Sequence, residues 1–168
     1  MTSEMRVTQW TWMACPDRMP RVQHRYATLT LEGTQEELLT EIVGWINNVE
    51  KDTPRIFWLH GPAGTGKPSI AHTVAYRFQQ PKRPSSCFCF DRDLAAEQRH
   101  KVFSTIAEDL ANGDNSLGRQ LAAIVHDSDA LKNTADILQQ WKELITKPTK
   151  AVSETIIGPI VIIIDGFG

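Results

Sequence analysis

Apolar positions divide the chain into stretches with helical spacing and short runs that are apolar throughout. Apolar residues recur every three or four positions over residues 34–49, 70–78, 102–110, 117–125 and 131–145. This spacing lines one face of an α-helix, so five helices are predicted. Thr34 and Glu37 have the spacing of a capping box at the start of the first helix, and Pro148 is expected to end the last.

Three short apolar runs, residues 56–59, 87–90 and 160–164, alternate with these helices. A short continuous run bounded by turn residues is typical of a strand that is buried on both faces. Strands alternating with helices predict an α/β fold with a mostly parallel sheet. Residues 1–32 follow neither period, so we predict a poorly ordered N-terminal arm and a single domain over residues 33–168.

Composition narrows the class of protein. The 168 residues are 41% apolar and 23% charged, which indicates one globular domain and excludes a disordered chain. A net charge of −2 argues against a whole-domain electrostatic grip on nucleic acid. No apolar run approaches the roughly 20 residues needed to span a bilayer, so no membrane partner and a cytoplasmic location are expected. Cys15, Cys87 and Cys89 lack the usual metal-ligand spacing and are interpreted as small buried apolar side chains.

The segment that carries chemistry lies between the first predicted strand and the helix after it. It reads GxxxxGK, the body of a phosphate-binding P-loop. Glycines let successive backbone N–H groups face inward, the helix offers its positive end, and the lysine reaches the outer phosphates. The predicted phosphate-binding residues are Gly61, Pro62, Ala63, Gly64, Thr65, Gly66 and Lys67, with Ser69 as a weaker neighbour.

A second motif lies at the end of the last predicted strand. Residues 160–164 are five aliphatic residues, four of them β-branched isoleucines, and they are followed by Asp165. In P-loop proteins an aspartate at this place helps to hold Mg²⁺ beside the phosphates. Asp165 is therefore the predicted metal ligand. A glycine-rich turn and a buried strand that merely ends in a surface aspartate would give the same pattern.

Together these segments resemble the front part of a fungal NACHT domain, also described as the nephrocystin 3-like N-terminal P-loop domain, within the STAND class of signalling NTPases. The resemblance covers residue 27 to the end. Its matching pieces are residues 33–39, 55–67, 70–75, 87–90 and 160–165, and Leu138, Gln140, Trp141, Leu144 and Ile145. The resemblance implies a three-layer α/β/α P-loop fold, an NTPase activity and an ATP- or GTP-dependent switch.

The chain departs from this pattern directly after the P-loop lysine. The family has Ser or Thr there, whose hydroxyl binds Mg²⁺, whereas this chain has Pro68. Proline offers neither a hydroxyl to the metal nor an N–H to a phosphate. It also disfavours the α-region for Lys67, although proline suits the first turn of a helix. Mg²⁺ binding and Mg²⁺-dependent hydrolysis are therefore expected to be impaired.

Two further departures concern the end of the motif. Relatives continue with acidic residues after the aspartate, whereas Gly166 follows here, so no catalytic residue is assigned. Asp91, Asp93 and Glu97 are interpreted as solvated surface. The resemblance also implies a sensor strand between the P-loop strand and the last strand. Because this strand is absent, the fold is expected to be incomplete at its C-terminus.

Two functions of different classes remain open from the sequence. The first is binding of ATP or GTP by an incomplete signalling P-loop domain that is impaired in hydrolysis. The alternative is a non-catalytic interaction module that keeps the P-loop shell without nucleotide. Helical surfaces would then serve self-association or protein partners. A small-molecule kinase is less consistent with the sequence, because no lid with clustered arginines is evident.

Overall fold

A computed structural model describes residues 35–79, 83–90, 99–127, 131, 134 and 136–166. The predicted arm over residues 1–32 and the acidic residues Asp91, Asp93 and Glu97 lie outside the described residues. The helices are α1 (Glu36–Asn47), α2 (Lys67–Gln79), α3 (Val102–Gly113), α4 (Asn115–Asp127), α5 (Ile137–Gln140) and α6 (Lys147–Ala151). The strands are β1 (Ser85–Cys89) and β2 (Val161–Asp165). A 3₁₀ turn (Arg99–Lys101) precedes α3, and a π-helical segment (Trp141–Thr146) joins α5 to α6.

The sheet in the described part of the chain consists of β1 and β2, which run parallel. Ser85 pairs with Val161 and Cys89 pairs with Asp165, so the two strands end at the same edge. Parallel strands need a long crossover, and the helical stretch from α3 to α6 supplies it. The predicted α/β class is confirmed at this level, as a mixed fold around a small parallel sheet.

Helices cover both faces of this sheet because successive side chains of a strand point to opposite sides. On one face, Val161 and Ile163 of β2 pack with α1 and α2, whose buried residues there are Leu39, Ile42, Ile70, Val74 and Phe78. On the other face, Phe88 of β1 packs with the later helices through Ile106, Leu110, Leu117, Leu121 and Leu144. Each fully buried aliphatic side chain contributes about 1.5–3 kcal/mol. The helical periodicity of the sequence predicted these faces correctly.

The predicted strand at residues 56–59 is not formed. Ile56 and Trp58 are 81% and 69% exposed, whereas Phe57 and Leu59 pack against the core between α1 and α2. The segment therefore buries one face instead of two. The physical reason is that the described sheet has two strands, and neither pairs with this segment. A continuous apolar run shows that a segment favours burial, but it does not supply the neighbouring strand.

The last predicted helix is also organised differently from the prediction. Its first turn is capped by Asp136, whose Oδ1 accepts a hydrogen bond from the Gln139 N–H at 3.0 Å. The π-helical segment follows, and the Lys147 N–H donates to the Lys142 carbonyl five residues back. Pro148 does not end the helix, because it lies in the first turn of α6, where its missing N–H costs little.

Helix α1 begins one residue later than the capping-box pattern predicts. The structure places the N-cap at Gln35, with a left-handed φ of 58° and no side-chain cap hydrogen bond. Thr34 lies outside the described residues. The side chain of Gln35 makes a different contact, at the glycine-rich loop.

Candidate functional site

The loop of residues 61–66 joins the extended segment to α2 through two glycines with positive φ. Gly64 has a φ of 83° and Gly66 a φ of 80°, which non-glycine residues rarely adopt. These are two of the three glycines that the motif spacing singled out. Residues 61–65 are exposed to solvent. The glycines therefore allow a tight surface turn directly before the helix.

Lys67 folds back over this turn. Its Nζ donates to the carbonyl oxygens of Gly61 and Pro62, both at 2.8 Å. The Thr65 hydroxyl also donates to the Pro62 carbonyl, at 2.9 Å. The loop is thus closed around the lysine ammonium group, which is the group that would contact a bound phosphate in a P-loop.

The N-terminus of α2 presents one backbone donor fewer than an ordinary helix. The first helical hydrogen bond runs from the Ile70 N–H to the Gly66 carbonyl, at 3.0 Å, so the N–H groups before Ile70 have no intrahelical acceptor. Pro68 lies among these positions and has no N–H. Lys67 is the first residue of α2, so the expected shift of this residue away from helical geometry does not occur. The cost of Pro68 is therefore a missing donor and a missing hydroxyl, without loss of the helix.

Ser69 is the next polar residue of this turn. It is half-buried, and its carbonyl accepts a hydrogen bond from the Thr73 hydroxyl at 2.7 Å. Its role as a weaker phosphate neighbour stays a prediction.

Gln35 makes a contact with the loop that the sequence did not predict. Its Nε2 donates to the Thr65 carbonyl at 3.0 Å, which ties the start of α1 to the loop. A Cβ atom added at Gly66 would lie 3.4 Å from the same Nε2. The two residues in this hydrogen bond are 30 positions apart, and no local pattern connects them.

Helix α2 runs antiparallel to β1. His72, near its start, lies 3.3 Å from Cys89 at the end of the strand. Phe78, near its end, lies under the guanidinium group of Arg83, which precedes the strand. The start of α2 therefore faces the edge at which both strands end.

This orientation brings Asp165 to the same edge of the sheet as Lys67. Asp165 is the last residue of β2, is half-buried, and accepts a hydrogen bond from the Phe90 N–H through its carbonyl at 2.9 Å. The following residue, Gly166, has a φ of 89°. The two predicted motifs are thus at one end of the sheet, and their binding roles stay predictions.

A family match supports the nephrocystin 3-like part of the resemblance noted from the motifs. A family model described as Nephrocystin 3, N-terminal, matches residues 33–167. The chain belongs to this family. The match runs from before α1 to after β2 of this chain, so it contains every candidate site residue. Searches of curated proteins and of solved structures give no significant match.

A helix that crosses a membrane must be about 20 residues long and largely apolar. Within the described part of the chain, every helix is too short or too polar to do so.

Proposed function

We propose that this nephrocystin 3 N-terminal domain binds ATP or GTP through the loop of residues 61–67. The observation that carries the proposal is the position of the Lys67 ammonium group, which lies 2.8 Å from two loop carbonyls. A polyphosphate that entered the turn would replace neutral acceptors with charged ones. The lysine hydrogen bonds to carbonyls carry charge on the donor alone, whereas a phosphate adds attraction between opposite charges, so the exchange favours the bound nucleotide.

Pro68 limits this binding. It removes one N–H from the phosphate and one hydroxyl from Mg²⁺, and each lost contact to a charged group costs about 1.5–3 kcal/mol. Two such losses correspond to a weakening of about two orders of magnitude or more. Asp165 remains as the proposed Mg²⁺ ligand, with no hydroxyl opposite it from residue 68. Hydrolysis suffers more than binding, because the metal stabilises charge that grows in the transition state.

In this proposal the domain acts as a nucleotide-binding part of a STAND-type signalling protein in the cytoplasm. Its nucleotide state would control association with protein partners or with further copies of the chain. The second candidate is an interaction module that binds no nucleotide. The exposure of residues 61–65, together with Pro68, favours this alternative, since an open loop gives a phosphate little shelter from water.

Titration with a fluorescent ATP analogue, and with its GTP counterpart, distinguishes the two functions. Each titration is done with and without Mg²⁺ on the native chain, on Pro68→Ser and on Lys67→Met. We expect weak, Mg²⁺-independent binding by the native chain, tighter and Mg²⁺-dependent binding by Pro68→Ser, and about tenfold or greater loss in Lys67→Met. Lys142→Met, an exposed lysine of the π-helical segment, is the matched control.

Each outcome of these titrations supports or contradicts one of the two functions. Absence of binding by both the native chain and Pro68→Ser would leave the interaction module as the function. Equal and strong binding by both would show that Pro68 is harmless. Loss of binding in Lys142→Met as large as in Lys67→Met would contradict a specific role for Lys67.

A further inference from the structure

A second group of side chains, outside the loop, lies between α2 and β1. His72 Nε2 is 3.3 Å from Cys89 Sγ, and Cys87 Sγ is 4.0 Å from Cys89 Sγ. The three donor atoms all lie within 4.8 Å of one another. One imidazole nitrogen and two sulfurs are therefore close enough to bind a single ion. From the sequence, the two cysteines were interpreted only as small buried apolar side chains.

The fold explains why these three residues meet. Cys87 and Cys89 are two positions apart on β1, so both side chains point to the face of the sheet that α2 covers. Their partners in β2 are Ile163 and Asp165, and Ile163 packs in the core on the α2 side. His72 comes from the second turn of α2. Spacing along the chain gave no indication of this, because the histidine belongs to another element.

The distances fit a metal ion better than a disulfide. A disulfide needs sulfurs about 2.05 Å apart, far closer than the observed 4.0 Å. A tetrahedral zinc ion, with bonds of about 2.3 Å to sulfur and about 2.0 Å to nitrogen, sets two sulfurs about 3.8 Å apart and a sulfur and a nitrogen about 3.5 Å apart. The observed separations of 4.0 Å and 3.3 Å are close to these values.

We propose that His72, Cys87 and Cys89 form a zinc-binding site with a fourth position open to water. Thiolate and imidazole ligands suit both Zn²⁺ and Cu(I), and burial decides between them. Cys87 is 5% exposed, and the other two residues are half-buried. Two thiolates and a neutral imidazole cancel the charge of Zn²⁺, whereas Cu(I) would leave a net negative charge in a poorly solvated place. On binding, each thiol releases its proton to solvent.

A hydroxyl on the same face supports the assignment. Ser85 is two residues before Cys87, and its buried Oγ has no hydrogen-bond partner among the described residues. Outer-shell donors of this kind commonly orient thiolates and metal-bound water. The Ser85 hydroxyl is available for such a role.

An occupied site would join α2 to β1 near the edge that holds the candidate nucleotide site. Cys89 pairs with Asp165 in the sheet, and His72 is five residues after Lys67 on the same helix. The ion would therefore hold the start of α2 against the strand ends. This inference does not depend on nucleotide binding, because its ligands are separate from residues 61–67.

Titration of the full metal-free chain with Zn²⁺ tests the site, and Co²⁺ serves as the spectroscopic probe. We expect one Zn²⁺ per chain and, with Co²⁺, an absorption band from thiolate-to-metal charge transfer. Cys87→Ser, Cys89→Ser and His72→Gln should each weaken zinc binding about tenfold or more. Cys15→Ser and His126→Gln, the second an exposed residue of α4, are matched controls and should bind like the native chain.

Thermal unfolding distinguishes loss of zinc binding from misfolding of a variant. Zn²⁺ should raise the Tm of the native chain, and the three site variants should lose this rise relative to their own metal-free Tm. The proposal is overturned if the Co²⁺ complex of the native chain shows no thiolate band, or if the site variants bind zinc as tightly as the native chain. It is equally overturned if Cys15→Ser loses as much affinity as they do.

Discussion

The amide of Gln35 and the carbonyl of Thr65 connect the start of α1 to the glycine-rich loop across 3.0 Å. Both groups are exposed, so a single net contribution of about 0.5–1.5 kcal/mol is expected from this hydrogen bond. Its importance lies in position, because it joins two segments that are 30 residues apart in the chain. Gln35 is the link through which α1 and the loop influence one another.

Replacement of this amide should loosen the loop. In Gln35→Ala we expect faster hydrogen exchange of the backbone amides in residues 61–67, with the rest of α2 unchanged, because the Thr65 carbonyl loses its donor. Exchange measured by mass spectrometry over that peptide checks this. Gln120→Ala, an exposed glutamine of α4, should have no effect on the loop. Unchanged loop exchange in Gln35→Ala would show that the hydrogen bond is unimportant in solution.

Two glycines should respond to alanine in opposite directions. Gly166 has a φ of 89°, and an added Cβ would lie 2.9 Å from the Phe90 carbonyl oxygen, so Gly166→Ala is expected to cost about 1–3 kcal/mol. Gly44 is exposed in α1 with nothing within 4 Å, so Gly44→Ala should stabilise by about 0.5–1 kcal/mol. Urea denaturation measures both free energies of unfolding. Equal effects in the two variants would contradict the strained turn after β2.

Gln140, the last residue of α5, is completely buried and links this helix to the 3₁₀ turn and to residues 131 and 134. Its Nε2 donates to the carbonyls of His100, Leu131 and Thr134 at 3.1, 3.3 and 3.2 Å. Gln140→Met keeps the volume but removes the donor, so a loss of more than about 2 kcal/mol is expected in the free energy of unfolding. The neighbouring Gln139 is exposed, and Gln139→Met should change stability by less than about 0.5 kcal/mol. A similar loss in both variants would argue against the buried amide.

The segment of residues 56–59 offers a test of its one-sided burial. Phe57 packs in the core and lies 5.4 Å from Trp45 between ring centroids, so Phe57→Ala should destabilise by about 1–3 kcal/mol. Trp58 is 69% exposed, and Trp58→Ala should stay within about 0.5 kcal/mol of the native chain. Thermal or urea unfolding checks the pair. A larger loss from Trp58 than from Phe57 would restore the interpretation as a strand buried on both faces.

Local patterns predicted the elements whose stability depends on their own amphipathic face. The spacing correctly located helices α2, α3 and α4 and the two observed strands. In each of these segments the order of apolar and polar residues determines which face is buried. The motif spacing likewise found the turn at Gly64 and Gly66, which needs positive φ. Residues 56–59 differ because strand formation depends on a partner from elsewhere in the chain.

The missed parts of the site are contacts between distant segments. Gln35 reaches Thr65 from the end of another helix, and His72 meets Cys89 only because α2 packs antiparallel to β1. Gln35 and His72 lie in stretches that resemble the family, but neither is an apolar position of a helical face or a residue of the phosphate-binding motif. Such contacts follow from how elements are arranged in space, and the chain order does not encode that arrangement in any short window.

The π-helical segment makes the approach to β2 tolerant of the loss of one residue. Its hydrogen bonds span five residues instead of four, so it holds an additional residue within the turn. Deletion of one residue between positions 141 and 146 would remove this additional residue and leave a regular α-helical turn, with the residues after it close to their present orientation. The same deletion within α3 or α4 would instead turn the following side chains by about 100°, whereas here Pro148 and Val152 would stay buried and the chain would enter the second strand in register.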